Sequence, residues 1–128
     1  MTLDSSALIA ILFAESGHLD LVDRILAVES VRIATPTLVE ASLVFAGRRR
    51  AKAAGEVEAL VHELGVSVAP FGEREWHAAV TAFLRFGRGR HKAALNFGDC
   101  LAYASASVAN DSLLFTGDDF ARTDITPA

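Results

Sequence analysis

The stretch Val31-Arg32-Ile33-Ala34-Thr35-Pro36-Thr37-Leu38-Val39-Glu40 decides how this chain folds. Val31 to Ala34 is short, apolar and rich in β-formers. Thr35-Pro36 closes it, with Thr35 read as an N-cap and Pro36 as the first helical residue, a position that needs no N–H donor. The helix that follows carries Leu38 to Phe45 and ends near Gly47. The same strand-then-helix succession recurs on both sides. Upstream, Met1 to Asp4 is an extended start that runs through Ser5 and Ser6 into a helical stretch, Ala7 to Ala14, and His18 to Val28 places Leu19, Val22, Ile25 and Leu26 at helical spacing. Downstream, Val57, Leu60, Val61 and Leu64 mark a helix stopped by Gly65, and Val66 to Ala69 is a strand before Pro70. Trp76, Val80, Phe83 and Leu84 mark a helix ending near Gly87, Asp99 to Ala109 forms another, and Ser112 to Phe115 is a last strand. Parallel neighbours need helical crossovers, so the alternation predicts an α/β fold: a three-layer α/β/α sandwich on a short, mostly parallel central sheet.

Composition bounds the rest. A chain of 128 residues suits a single domain spanning 1–128. With 52% hydrophobic and 22% charged residues it reads as globular rather than disordered. The longest apolar run, Ala7 to Ala14, is far short of the ~20 residues that cross a bilayer. Asp4 stands where a signal peptide would carry basic residues, so a cytoplasmic protein with no membrane partner is expected. One cysteine, Cys100, and four scattered histidines without HxxxH or HxH spacing exclude an internal disulfide and a structural zinc site. A net charge of −4 argues against a surface that binds nucleic acid throughout, while leaving room for local basic patches.

Three acids stand apart from the other charges. Asp4 is the only charged residue between Met1 and Ala14, Glu40 between Ile33 and Gly47, and Asp99 between Ala93 and Asn110. Unpaired carboxylates in apolar surroundings cost several kcal/mol, so a fold that keeps three exposes them in a cleft or pairs them with cations. A fourth comes from the Thr116-Gly117-Asp118-Asp119 turn after the last strand, with Asp118 placed in the site and Asp119 as its alternative. Each follows a strand or lies near the start of a helix, and in a parallel sheet those ends share one edge, where ligands bind. Two carboxylates ~4 Å apart repel by about 4 kcal/mol at an effective dielectric of about 20, so their meeting requires a divalent cation or raised pKa values. Oxygen-only ligands favour Mg²⁺ or Mn²⁺. Any one of these acids, taken singly, is as well explained as a helix cap or a solvated residue.

In order along the chain, Asp4-Ser5-Ser6-Ala7-Leu8, Thr37-Leu38-Val39-Glu40-Ala41, Asn96-Phe97-Gly98-Asp99-Cys100-Leu101-Ala102-Tyr103-Ala104, Leu114-Phe115-Thr116-Gly117-Asp118-Asp119-Phe120 and Thr123-Asp124-Ile125 resemble a PIN-domain ribonuclease of the VapC toxin type. The resemblance covers essentially the whole chain and implies a PIN-like sandwich. It implies the toxin of a type II toxin–antitoxin module, a Mg²⁺-dependent endoribonuclease (with Mn²⁺ as substitute) that is neutralised by a VapB-type antitoxin and is commonly a homodimer. Carried over by residue, Asp4, Glu40, Asp99 and Asp118 are the catalytic acids. Asp4 and Asp99 are direct metal ligands, while Glu40 and Asp118 act through water or a second ion. Ser6, Thr116 and Asp119 are supporting residues. Ser5 stands where many relatives have threonine. The implied chemistry is hydrolysis of RNA phosphodiester bonds by a metal-activated water, leaving a 5′-phosphate and a 3′-hydroxyl.

Eight of the 12 basic residues lie in two runs: Arg48, Arg49, Arg50 and Lys52, then Arg85, Arg88, Arg90 and Lys92. The second sits in a glycine-containing loop just before Asp99, and Arg88, Arg90 and Lys92 are the expected RNA contacts, against the plainer reading of a solvated loop. The first run also suits a helix C-terminus. Trp76, Phe83 and Phe86 read as a core-facing stripe, and Cys100, Tyr103 and Ala102 to Ala109 as an inner helix. Leu8, Leu12, Leu43 and Phe45 fit either core packing or a groove for a partner helix. Two other classes compete: a receiver-like or haloacid-dehalogenase-like Mg²⁺-dependent phosphoryl-transfer domain, and a non-catalytic RNA-binding module. The former normally carries a lysine near a late strand end, and none follows Ser112.

Overall fold

The computed structural model describes residues 1–49 and 55–128. In chain order the elements are β1 (Thr2–Leu3), α1 (Ser5–Leu12), α2 (His18–Leu26), β2 (Arg32–Ala34), α3 (Thr35–Arg49), α4 (Glu56–Glu63), β3 (Ser67–Ala69), α5 (Glu73–Phe86), α6 (Phe97–Ala109) and β4 (Leu113–Leu114). The four strands pair in the order β3-β2-β1-β4, all parallel, with Leu3 opposite both Ile33 and Leu114. Strand residues alternate between faces, and Leu114 and Leu113 accordingly enter different cores. On one face Leu3, Leu8, Ile25, Ile33, Phe45 and Val61 bring α1 to α4 onto the sheet. On the other, Ala82, Phe86, Leu95, Tyr103, Leu113 and Phe120 bring α5 and α6 onto it. The expected α/β/α sandwich is the result.

The β4 edge is closed by the chain's own tail: Leu113 N–H donates to the Thr126 carbonyl and Ala128 N–H to the Leu113 carbonyl, both at 2.9 Å. β3 forms the other edge, kept short as unpaired edges tend to be.

Several boundaries differ from the sequence expectations. α1 starts at Ser5 because Asp4 caps it, and α6 starts at Phe97 because Asn96 caps it. The last strand is only Leu113–Leu114. Thr35 does not act as an N-cap; its hydroxyl donates to the Ala69 carbonyl at 2.9 Å and ties α3 to β3. Trp76 and Phe83 are not core residues: they are 56% and 40% exposed, and only Phe86 of that trio turns inward. Cys100, Tyr103 and most of the following small residues do pack as an inner helix. Leu8 and Phe45 are fully buried and Leu43 is exposed, so those residues do not line a common groove.

Candidate active site

Asp4 leaves β1 with its N–H donating to the Leu114 carbonyl at 2.9 Å, which places its side chain at the carboxyl edge of the sheet. There it caps α1: Oδ2 accepts the Ser6 N–H at 3.0 Å and the Ser6 hydroxyl. Ser6 Oγ in turn accepts the Thr116 N–H at 3.0 Å, so one serine joins the β1–α1 turn to the loop after β4. Asp4 is buried. Burial pushes its carboxyl above the ordinary aspartate value, the Ser6 hydrogen bonds oppose this, and the charge of Glu40 adds to the rise.

Glu40 reaches the same edge from α3. Its carboxylate lies against Gly98 so closely that a Cβ on that glycine would sit 2.7 Å from Oε2. That oxygen is buried and has no hydrogen-bond partner, and neither does the Thr37 hydroxyl, also buried, one turn earlier on α3. Asp99 is the third residue of α6, in a reciprocal cap: Asn96 N–H donates to Asp99 Oδ2 at 2.7 Å, and Asp99 N–H donates to Asn96 Oδ1 at 3.0 Å. Burial again raises the carboxyl, opposed by the Asn96 N–H; the charges of Asp119 and Asp4 raise it further, and Arg88 lowers it.

Asp118 and Asp119 are both exposed, in the turn that Gly117 makes possible at φ +83°. Of the two, Asp119 is the one whose charge acts on Asp99 among the leading influences. Asp4, Glu40, Asp99 and Asp119 are therefore linked by mutual repulsion at one end of the sheet.

The basic residues separate into distinct roles. Arg88 acts on Asp99 from the loop that closes by Arg88 N–H to the Leu95 carbonyl at 3.0 Å. Arg90 lies over the Phe83 ring at 5.5 Å, and the Lys92 carbonyl accepts from Arg122 at 3.1 Å. Arg85 is engaged elsewhere, 2.8 Å from Asp124. Arg48 pairs with Glu15 at 3.7 Å and, like Arg49, lies over Phe13. Arg50 and Lys52 fall outside the described residues. The His91 ring accepts the Ala93 N–H at 3.1 Å and meets Phe86 edge-on, which accounts for it as a loop organiser.

Among the described residues no three acids, histidines or cysteines converge as a ready-made metal cage. The donor set nevertheless fits a hard divalent ion. Mg²⁺ takes one or two carboxylates directly and keeps several waters, which the orphaned Glu40 Oε2 and Thr37 hydroxyl would accept or donate to. Sequence reasoning missed Thr37, Asn96 and Gly98. Thr37 carries a signal, since it lies three residues before Glu40 on one helical face. Asn96 carries one too, since an asparagine three residues before an acid at a helix start has the spacing of a reciprocal cap; Gly98 does not, because a glycine needed for close approach reads like any other.

An open parallel sheet with mutually repelling carboxylates toward its carboxyl edge defines the class: an acid-centred α/β protein. The PIN domain family model matches residues 1–125. Ribonuclease VapC36 of Mycobacterium tuberculosis is 41% identical over 126 residues, covering 98% of this chain and 91% of that protein. Ribonuclease VapC of Mycolicibacterium smegmatis is 36% identical over 126 residues, covering 98% of this chain and 97% of its own. The chain belongs to the PIN-domain family, among the VapC ribonucleases. Two solved structures share the fold. Mycobacterium tuberculosis VapC20, a Sarcin-Ricin loop cleaving toxin, has a TM-score of 0.77 at 17% identity, covering 99% of this chain and 97% of that one. VapBC2 from Rickettsia felis, bound to a promoter DNA fragment, has 0.77 at 11%, covering 98% and 94%.

Proposed function

We propose that this chain is the toxin of a toxin–antitoxin module and cuts RNA with the aid of Mg²⁺ or Mn²⁺. The observation that carries the reading is the buried Asp4 carboxylate facing the charges of Glu40 and Asp99 at the sheet edge. Asp4 and Asp99 would hold the ion directly. Glu40 and one acid of the Asp118-Asp119 turn would orient its waters, with Asp119 favoured by its action on Asp99. A bound divalent ion supplies an acidified water and offsets charge developing on the phosphate oxygens. Ser6, with Thr116 N–H upon it, keeps Asp4 Oδ2 occupied, leaving Oδ1 for the ion. Arg88, Arg90 and Lys92 would draw the phosphate backbone toward Asp99.

Two partners belong to this reading. A VapB-type antitoxin would neutralise the toxin. A second copy would cover the apolar face of Val39, Leu43, Trp76, Val80, Phe83 and Phe97, all at least 40% exposed. Hollows of about 410 and 280 Å³ meet there at Phe97 and Leu101. Contiguous exposed apolar faces rimmed by polar residues mark interaction sites.

The test is incubation of purified protein with structured RNA and Mg²⁺ or Mn²⁺. Metal-dependent cleavage that disappears in Asp99→Asn supports the reading; cleavage that survives overturns it. A non-catalytic RNA-binding module would bind RNA without cleavage and without a metal-dependent rise in Tm.

A further inference from the structure

The segments that carry Asp99, the Asp118-Asp119 turn and Arg88 meet at a second side-chain cluster. Asp124 Oδ2 accepts from Arg85 Nη2 at 2.8 Å, and its Oδ1 accepts the Tyr103 hydroxyl. Tyr103 is buried on α6, one turn beyond Asp99 on the same helical side. Arg85 lies in the last turn of α5 with its guanidinium 4.6 Å from the centre of the Phe86 ring. Phe86 packs against Tyr103 at 5.8 Å and against His91 at 5.3 Å.

The basic loop hangs from that point of α5. Leu95 N–H returns to the Phe86 carbonyl at 2.9 Å, and Arg90 and His91 N–H both donate to the Gly87 carbonyl. Gly87 is required here, because a Cβ would clash with both the ring and the backbone carbonyl of Phe83. On the other side, Asp124 terminates the segment that begins with the two aspartates. Ala121 N–H donates to the Asp118 carbonyl at 3.1 Å, Thr123 bonds Phe120 through N–H and hydroxyl, and Phe120 is buried against Phe115 at 5.0 Å. Arg122, donating to the Lys92 carbonyl, adds a second tie between this segment and the basic loop.

We propose that Asp124, with Tyr103 and Arg85, is a positioning device that fixes the basic loop and the Asp118-Asp119 turn in register with Asp99. The proposal rests on the reading of the acid cluster as the RNA-cutting centre. The three groups touch none of the four acids and act through the segments they join. The clamp is static. Tyr103 and Arg85 hold the Asp124 carboxyl below its ordinary value, and burial followed by the Asp124 contact pushes the Tyr103 phenol up to about 12. Asp124 thus remains acceptor and Tyr103 donor across the working range of pH, and neither moves a proton.

The experiment compares cleavage kinetics in saturating Mg²⁺ with amide hydrogen exchange in wild type, Tyr103→Phe, Asp124→Asn and Arg85→Gln, with Asp99→Asn as control. Misplacement of about 1 Å costs up to about a hundredfold in rate, so kcat should fall by roughly tenfold or more with a smaller change in KM. Exchange should quicken in residues 87–95 and 116–124 while β1 and α1 keep their protection. Unchanged kcat overturns the proposal, as does uniformly faster exchange with a lower Tm and no kinetic effect. Arg85 and Asp124 are both exposed, so Arg85→Gln and Asp124→Asn keep the test open if Tyr103→Phe misfolds. An active Asp99→Asn would instead sink the underlying reading of the site, whatever the clamp variants do.

Discussion

The Glu40 carboxylate rests on Gly98, where a Cβ would come within 2.7 Å of Oε2. A side chain at position 98 would push the end of the Glu40 side chain aside, so the bare glycine is what lets that carboxylate rest at the start of the helix that carries Asp99. Gly98→Ala should displace Glu40 and lower cleavage at least tenfold, by the sensitivity of catalysis to misplacements of about 1 Å. Alanine favours helix by up to about 1 kcal/mol, so Tm should change little. Paired cleavage and melting assays check this, and full activity in Gly98→Ala would show the contact to be incidental.

Asp99 has two separable functions, cap and charge. Asparagine keeps an oxygen for the Asn96 N–H but removes the charge repelled by Asp4 and Asp119. Asp99→Asn should abolish cleavage while the metal-free Tm holds or rises. Asp99→Ala should also lose the cap, worth about 1 kcal/mol, and melt a few degrees lower. Differential scanning calorimetry without metal separates the two.

The doubled aspartate gives a sharp comparison. Because Asp119 acts on Asp99, Asp119→Asn should reduce cleavage and Mn²⁺ affinity by more than Asp118→Asn does. Equal losses, or a larger one at Asp118, would reverse the assignment.

Stability should respond to pH in a direction set by the acids. Asp4 and Asp99 titrate above the ordinary 3.8, so above that value the native metal-free protein holds protons that the unfolded chain has released. Their contribution is fully present below 3.8 and is lost as pH rises through the raised values. Asp124, held low by Tyr103 and Arg85, works oppositely, and its contribution disappears as pH falls through its depressed value. The metal-free Tm should fall from about pH 4 upward, less steeply in Asp99→Asn, and Mg²⁺ should restore it by binding the ionised acids. A melting series across pH, with and without Mg²⁺, reads all three effects.

Leu43→Glu places a charge on the exposed apolar face without touching either core. The self-association expected of the unaltered chain should be lost, with melting nearly unchanged. Light scattering on the eluted protein measures it directly.

Much of this was legible along the chain. Strand and helix alternate because apolar residues recur at helical spacing between short β-rich runs, and Asp4, Glu40 and Asp99 are conspicuous as lone charges in apolar segments. Parallel topology then implies that they share an edge, since strand ends and following helix starts lie together. Where the reading failed, the signal was ambiguous. Trp76 and Phe83 have the spacing of a buried stripe, yet α5 turns that side outward because Ala79, Ala82 and Phe86 fill the space against α6.

The sequence by itself determined the α/β class, the family and the order of the acids, because each depends on local pattern and motif. Only the tertiary structure decided which charges meet. Arg85 and Arg88 lie in one basic run, yet one binds Asp124 and the other faces Asp99. Asp118 and Asp119 are adjacent, yet it is the charge of Asp119 that is among the leading influences on Asp99. Gly98 matters only because the Glu40 carboxylate reaches it from a different helix. Partners of this kind are fixed by the packing of distant segments, where electrostatic and steric terms act over a few ångströms of space irrespective of separation along the chain.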